Sequence, residues 1–335
     1  MSARNPIAAT TARFLSSAAC GLLLLINGSV RAEWVSQERA IMGTRIAVEL
    51  WSQDAAAAAA DIEAVMREMH RVDKLMSTYK PTSQVSLVNA EAARRSVAVD
   101  ADLFGLLQTA LEYSRLTEGA FDITYASVGY LYDYRNAVKP SDEEIARALP
   151  AVDYRHVMLD PAARTVRFAQ PGVRIDLGGI AKGWAVDQGI QILRARGVER
   201  AMVSAGGDTR ILGDRLGKPW MVGIRDPRQE GKVILRVPLD DAALSTSGDY
   251  ERFFESEGVR YHHILEPSSG KPARAVRSVT VIGPTATRTD GLSKTIFVLG
   301  IDRGMRILDR LGDVDAIAID HDGQVFYSRG LQQPP

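Results

Sequence analysis

The stretch "RIDLGGIAKGWAVD" (residues 174–187) decides how the chain is read. An extended run ends at Asp176, meets Gly178 and Gly179, and enters a helix with Lys182 near its start. In a doubly wound α/β protein such a turn opens a nucleotide-binding unit. The glycine spacing here fits neither G-x-G-x-x-G nor the P-loop, and no Ser or Thr follows Lys182. Two readings stay open from these residues. One is a tight strand-to-helix turn with Asp176 capping the helix; the other is a loop whose N–H groups and helix N-terminus face an anion.

The surrounding segments decide the fold class. "HVMLD" (156–160) and "RTVRF" (164–168) flank the turn Asp160-Pro161-Ala162-Ala163, a predicted hairpin. "VRID" (173–176) leads into the opening motif, whose helix runs to Gly197. Strands are predicted at "AMVSA" (201–205), "RILG" (210–213), "WMVGI" (220–224), "KVILRV" (232–237), "ALSTS" (243–247), "HHIL" (262–265) and "SVTVIG" (278–283). A last hairpin turns at His321-Asp322-Gly323. Hairpins outnumber βαβ units, which gives an α+β class with largely antiparallel sheets and packed helices.

Upstream, "TRIAVELW" (44–51) alternates with period two and reads as a half-buried strand. Ile62, Met66, Met69, Val72 and Leu75 recur at helical spacing, predicting an amphipathic helix over residues 55–76. Pro81, Ser83 and Asn89 mark a loop, followed by a helix over about residues 102–118 closed by Gly119. Ser141 and Glu144 have capping-box spacing and open a short helix ending near Pro150. Residues 290–299 and 303–310 read as further helices.

The first 32 residues read as a secretory signal peptide. Arg4 and Arg13 form a basic start, residues 14–26 are apolar, and Val30-Arg31-Ala32 ends in a small residue. That run is short for a membrane span, which needs about 20 apolar residues. A retained anchor is the rival reading. Removal also takes away Cys20, leaving residues 33–335 without cysteine and without thiolate chemistry. Losing Arg4, Arg13 and Arg31 leaves 38 basic against 41 acidic residues, a net charge of −3. Nucleic-acid binding, which shows a basic excess, is not expected.

Several segments could carry chemistry. "VSAGGDTR" (203–210) and "LSTSGDYER" (244–252) repeat the theme of a strand running into small, donor-rich residues. With the opening motif they make a diphosphate cradle conceivable. His262 and His263 are adjacent on a predicted strand end, so at most one faces a given site. Asp290 reads either as an N-cap paired with Lys294 or as the carboxylate of a hard-cation site completed by backbone and hydroxyl oxygens. Met42, Tyr79 and Phe121 read as core or as a shelf for a cofactor, and Asp122 as a turn residue.

Taken in order, these segments resemble the ApbE family, the FAD:protein FMN transferases. The matching elements are Met42-Gly43-Thr44, Ser77-Thr78-Tyr79, Gly119-Ala120-Phe121-Asp122, the stretch 176–187, Ala205-Gly206-Gly207-Asp208, residues 245–250, His263 to Pro267 with Gly270, and Asp290 before "FVLG". The resemblance implies a two-lobed single unit and a periplasmic enzyme. That enzyme splits FAD at its diphosphate, joins FMN to a Thr or Ser hydroxyl of a target protein, and releases AMP. Met42, Tyr79, Ala120, Phe121, Asp122, Asp176, Lys182 and Ile264 fall where the family contacts FAD. Gly179 (through its carbonyl), Asp290 and Ser293 are the implied Mg²⁺ ligands. His263, as a base able to titrate near neutrality, joins Asp290 as catalytic. The implied partner is an acceptor flavoprotein, a membrane redox-complex subunit. An FAD pyrophosphatase and a non-enzymatic flavin-binding protein are the alternatives.

Three positions depart from the family pattern. Glu266 stands where Asp is usual, and Trp184 where Tyr is usual. Lys294 stands where the family often has Thr, four residues after the metal aspartate, with Thr295 one place later. A helix turns about 100° per residue, so Thr295 cannot substitute for it. Lys294 is therefore expected to take over part of a metal ligand's role.

Overall fold

A computed structural model describes residues 32–229 and 231–332. The predicted leader up to Arg31 lies outside the described residues. The first two strands, β1 (Glu33–Ile41) and β2 (Thr44–Ser52), form a hairpin whose turn is only Met42-Gly43. Both turn residues have positive φ, 55° and 69°, the primed geometry that matches strand twist. Alternation in β2 buries Ile46, Val48 and Leu50 completely.

Helix α1 (Ala55–Met76) has the predicted bounds, and the Asp54 carboxylate accepts hydrogen bonds from the Ala56 and Ala57 N–H groups. The predicted loop that follows contains a further helix, α2 (Gln84–Glu91), capped by Ser83. It buries only Val85 and Val88 and so has little periodic signature. Then come β3 (Val97–Ala98), α3 (Ala101–Leu116), α4 (Ala126–Gly129) and α5 (Asp142–Ala148), the last opened by the predicted Ser141–Glu144 capping box. The predicted hairpin is present as β4 (Val157–Asp160) and β5 (Thr165–Phe168), and β3 adds to it.

Residues 173–176 are not the predicted strand. They are extended, but side chains and a loop carbonyl replace a partner strand. The Arg174 N–H donates to Ser127 Oγ at 3.0 Å, Ile175 N–H to Asn89 Oδ1 at 2.7 Å, and Asp176 N–H to the Ile123 carbonyl at 3.0 Å. Buried backbone groups must be paired with something.

Helix α6 (Ala181–Ala195) follows, then β6 (Ala201–Ala205), β7 (Asp208–Leu212), β8 (Trp220–Arg225), β9 (Val233–Leu239) and β10 (Ala243–Gly248). The chain continues through β11 (Phe253–Ser256), β12 (Val259–His262), β13 (Ser278–Gly283), α7 (Ala286–Leu299) and α8 (Ile301–Leu311). It closes with β14 (Asp315–Ile319), β15 (Val325–Tyr327) and α9 (Arg329–Gln332). The predicted strand at 262–265 is displaced: β12 ends at His262, and His263 begins the loop.

Eight strands form the main sheet in the order β1-β2-β6-β7-β10-β13-β14-β15, every neighbour antiparallel. The α+β expectation holds. One core joins β2 and β6 to α1 and α6 through residues such as Val48, Val203, Met69 and Ile190. A second joins β13 and β14 to α7 and α8 through Val281, Ala318, Phe297 and Leu308. A third gathers Trp220, Leu239 and Leu244 with Ile211 and Ile317, covered by the β8–β9 hairpin. The described residues form one unit.

Candidate active site

Two helices cross at the centre of the site. A Cβ on Gly183 would lie 2.2 Å from the Ala286 carbonyl oxygen, so α6 and α7 meet closely only because this residue is glycine. The contact brings the helix starts together. Asp187 of α6 accepts from the N–H groups of Ala286 and Thr287 at 2.9 and 2.8 Å, and from the Thr287 hydroxyl at 2.6 Å. Asp290 of α7 accepts in return from Gly183 N–H at 3.2 Å, in the first turn of α6. The N-cap of α6 is Ile180, which has no capping side chain. Each helix thus places a carboxylate at the other's positive end. Asp290 does not cap its own helix; Thr285 does, and α7 starts four residues earlier than predicted.

A cleft of about 560 Å³ opens beside this crossing, within the roughly 300–1,000 Å³ of small-molecule sites. On its floor are two lysines and two aspartates. Lys182 Nζ lies 2.7 Å from Asp208 Oδ2 and 3.6 Å from Asp290 Oδ2. Lys294 Nζ donates to Asp290 Oδ1 at 2.5 Å, the Asp290 carbonyl at 2.9 Å and the Gly179 carbonyl at 3.2 Å. Asp208 and Asp290 are almost wholly buried. Burial and the neighbouring Asp290 carboxylate raise the pKa of Asp208, against the pull of the lysines. Burial pushes Asp290 the same way, but Lys182, Lys294 and the Gly183 N–H win and leave it lowered. Burial opposes the charge on Lys182, yet Asp208 and Asp290 hold its pKa above the ordinary value.

A family model described as "ApbE family" matches residues 42–318. The chain belongs to the ApbE family. A Treponema pallidum protein named FAD:protein FMN transferase is 35% identical over 324 residues, covering 91% of this chain and 90% of that one. A Vibrio cholerae protein of the same name is 32% identical over 300 residues, with coverages of 87% and 89%. Among solved structures, the ApbE protein of Thermotoga maritima superposes with a TM-score of 0.83 at 36% identity, over 90% of this chain and 98% of that one. The flavin transferase ApbE of Vibrio cholerae gives 0.81 at 30% identity, over 90% and 99%.

All eight predicted contact residues of this ApbE-family chain line one cleft: Met42, Tyr79, the Ala120-Phe121-Asp122 turn, Asp176, Lys182 and Ile264. Asp176 does not cap α6 as the simpler reading had it. Its carboxylate accepts from Gly178 N–H at 2.6 Å and from the Thr78 hydroxyl at 2.8 Å, folding the glycine turn back on itself. Tyr79 is 70% exposed, and its hydroxyl accepts from Arg252 at 2.7 Å. Phe121 is buried edge-on against Tyr113. The Asp122 carboxylate is engaged by Thr124 and by the Tyr154 N–H, so its role is to shape the turn.

Of His262 and His263, only His263 lines the cleft; with β12 ending at His262, the loop that follows places it there and not strand alternation. His262 is buried and donates from Nε2 to the Ala273 carbonyl at 2.7 Å. His263 lies on the cleft wall. Its Nδ1 can only donate to the Arg252 carbonyl, 3.3 Å away, which leaves the Nε2 lone pair to accept a proton. The expectation that it titrates near neutrality is corrected. Burial, with the Arg252 charge beside it, pushes the imidazole down to about 3.

The implied Mg²⁺ site takes a different form. The Gly179 carbonyl and Asp290 carboxylate do converge, but they converge on the Lys294 ammonium. Ser293 is fully buried, and its hydroxyl is shared between Ser247 Oγ and the Asp290 carbonyl. These residues do not fit a divalent cation. The Lys294 ammonium lies where the Gly179 carbonyl and the Asp290 carboxylate meet. Asp208, Thr78 and Arg252 were not singled out from sequence as site residues. Each had a local signal: Asp208 directly after Gly206-Gly207, Thr78 beside Tyr79, and Arg252 at the end of "LSTSGDYER".

Proposed function

We propose that this chain transfers FMN from FAD to a Thr or Ser hydroxyl of an acceptor protein, releasing AMP. The observation that carries the reading is the cleft floor: two ammonium groups and a folded-back glycine turn, next to an exposed aromatic at the mouth. Family membership and the printed names of well-covered relatives support it. A flavin diphosphate suits this chemistry, because phosphoryl-group transfer is mostly positioning and charge neutralisation.

In this reading Lys182 and Lys294 face the diphosphate, and Tyr79 offers a ring face to a planar heterocycle. Met42, Phe121 and Ile264 line the apolar part of the cleft. The acceptor oxygen bonds to the FMN phosphorus, and the bond from that phosphorus to the bridging oxygen breaks. AMP leaves with the bridging oxygen. The hydroxyl proton passes to His263 Nε2, which is unprotonated throughout the neutral range. Residues 1–32 export the chain, and residues 33–335 act in the periplasm on a membrane redox-complex subunit.

The test is to incubate residues 33–335 with FAD and a flavinylation-site peptide carrying a single threonine, beside the same peptide carrying valine. Fluorescence that survives on a denaturing gel for the threonine peptide alone, with one AMP per label, is the expected result. AMP and FMN without labelled peptide would instead make the protein a pyrophosphatase. Bound, unchanged FAD would make it a carrier.

A further inference from the structure

We propose that the Lys294 ammonium is the resident cation of this cleft, and that flavin transfer here proceeds without a divalent metal. The chemistry rests on the flavin-transfer reading above; the cation geometry does not. Three N–H donors of one ammonium meet three oxygens, Asp290 Oδ1, the Asp290 carbonyl and the Gly179 carbonyl, at 2.5, 2.9 and 3.2 Å. That satisfies the group completely. Two of the oxygens come from α7 and the third from the glycine turn before α6, 115 positions away in sequence. The ammonium therefore ties together the two elements that a shared metal would bridge. A Cβ on Gly179 would sit 3.3 Å from Lys294 Cε, so the glycine also leaves the lysine its path.

A divalent ion has no room beside it. Mg²⁺ needs oxygens at about 2.0–2.1 Å in an octahedral set, and reaching the same Asp290 and Gly179 oxygens would press it against the ammonium. The other carboxylate, Asp208, is held by Lys182 at 2.7 Å. Thr295 is fully buried and lies off the cleft. Among the described residues no group of three His, Cys, Asp or Glu side chains could hold a metal. Lys182 and Lys294 balance Asp208 and Asp290, so adding a divalent ion before substrate binds would bury two uncompensated charges. When the diphosphate arrives, the longest contact, to the Gly179 carbonyl, is the one Lys294 can exchange for a phosphate oxygen.

Mn²⁺, followed by its electron paramagnetic resonance signal, is the probe. The wild-type chain should leave the free Mn²⁺ signal undiminished up to ~1 mM, whereas Lys294→Thr, with a hydroxyl facing Gly179 and Asp290, should take up one ion per chain. In EDTA, wild-type transfer to the threonine peptide should stay within about twofold of its rate in Mg²⁺. Lys294→Met, which removes the ammonium without adding a ligand, should lose at least about tenfold in transfer and gain nothing from Mg²⁺. Uptake of one Mn²⁺ by the wild type, with or without FAD, would overturn the proposal. So would EDTA inhibition reversed by Mg²⁺. If no condition yields labelled peptide, the flavin-transfer reading fails, and the wild-type Mn²⁺ titration still decides the cation question.

Discussion

Lys182 and His263 show how far a single side chain can be read from its surroundings. The Asp208 side chain is 3% exposed and its nearest cation is Lys182. Lys182→Met should therefore destabilise the fold by roughly 3–5 kcal/mol, because it strands a buried charge. Urea titration should report that loss together with lost FAD binding, and a stable, non-binding variant would show that Asp208 has another partner. His263 makes a pH prediction. Its folded pKa, about 3, is below the ordinary 6.5, so between those values the unfolded chain carries the extra proton. Stability should then fall on acidification from about pH 6.5 towards 3, and His263→Gln should flatten the slope by up to one proton. Urea midpoints across that range would check it. Transfer by the wild type should have no inflection near 6.5 from this group, and an imidazole signal of His263 titrating near that pH would count against the shift.

At the scale of elements, legibility follows the range of the forces involved. Helix α1 and the Ser141–Glu144 capping box were predicted with their bounds, because periodicity and capping act within a few residues. Residues 173–176 were read as a strand, and the partners that hold them extended, Asn89 and Ser127, lie 86 and 47 positions away. The start of α7 lies four residues before Asp290, because its cap is Thr285, a weaker sequence signal than the aspartate that follows it. Lys294 drew attention from sequence, but its convergence with Gly179 depends on the helix crossing, which no local pattern encodes. That crossing gives a prediction of its own. Gly→Ala inside a helix ordinarily gains about 1 kcal/mol, yet Gly183→Ala meets a carbonyl oxygen at 2.2 Å. It should cost about 1–3 kcal/mol through overpacking and separate Lys182 from Asp290. Thermal denaturation decides the sign, and a more stable variant would mean that α7 can step aside.

For the whole molecule, the antiparallel α+β class was legible from hairpin turns alone, while the cleft needed the tertiary fold. The residues lining the one cleft are drawn from segments between Met42 and Lys294, so no isolated segment carries the site. The leader is a separable part, and its proposed duty can be tested apart from the rest. Alkaline phosphatase lacking its own signal should become active in cells when fused behind residues 1–32. Phosphatase that stays inactive and in the cytoplasmic fraction would remove the export proposal.

The exchange of carboxylates between α6 and α7 has a bearing on how the protein fails when heated. Asp187 and Asp290 hold the helix starts and, through Asp290, the two lysines of the cleft floor as well. Loosening the cleft therefore means uncapping two central helices at once, which leaves no cheap path to a folded but damaged catalyst. Heat inactivation and loss of tertiary structure should share one midpoint. Stabilising any distant part of the fold should then lengthen the working life of the site by the same amount.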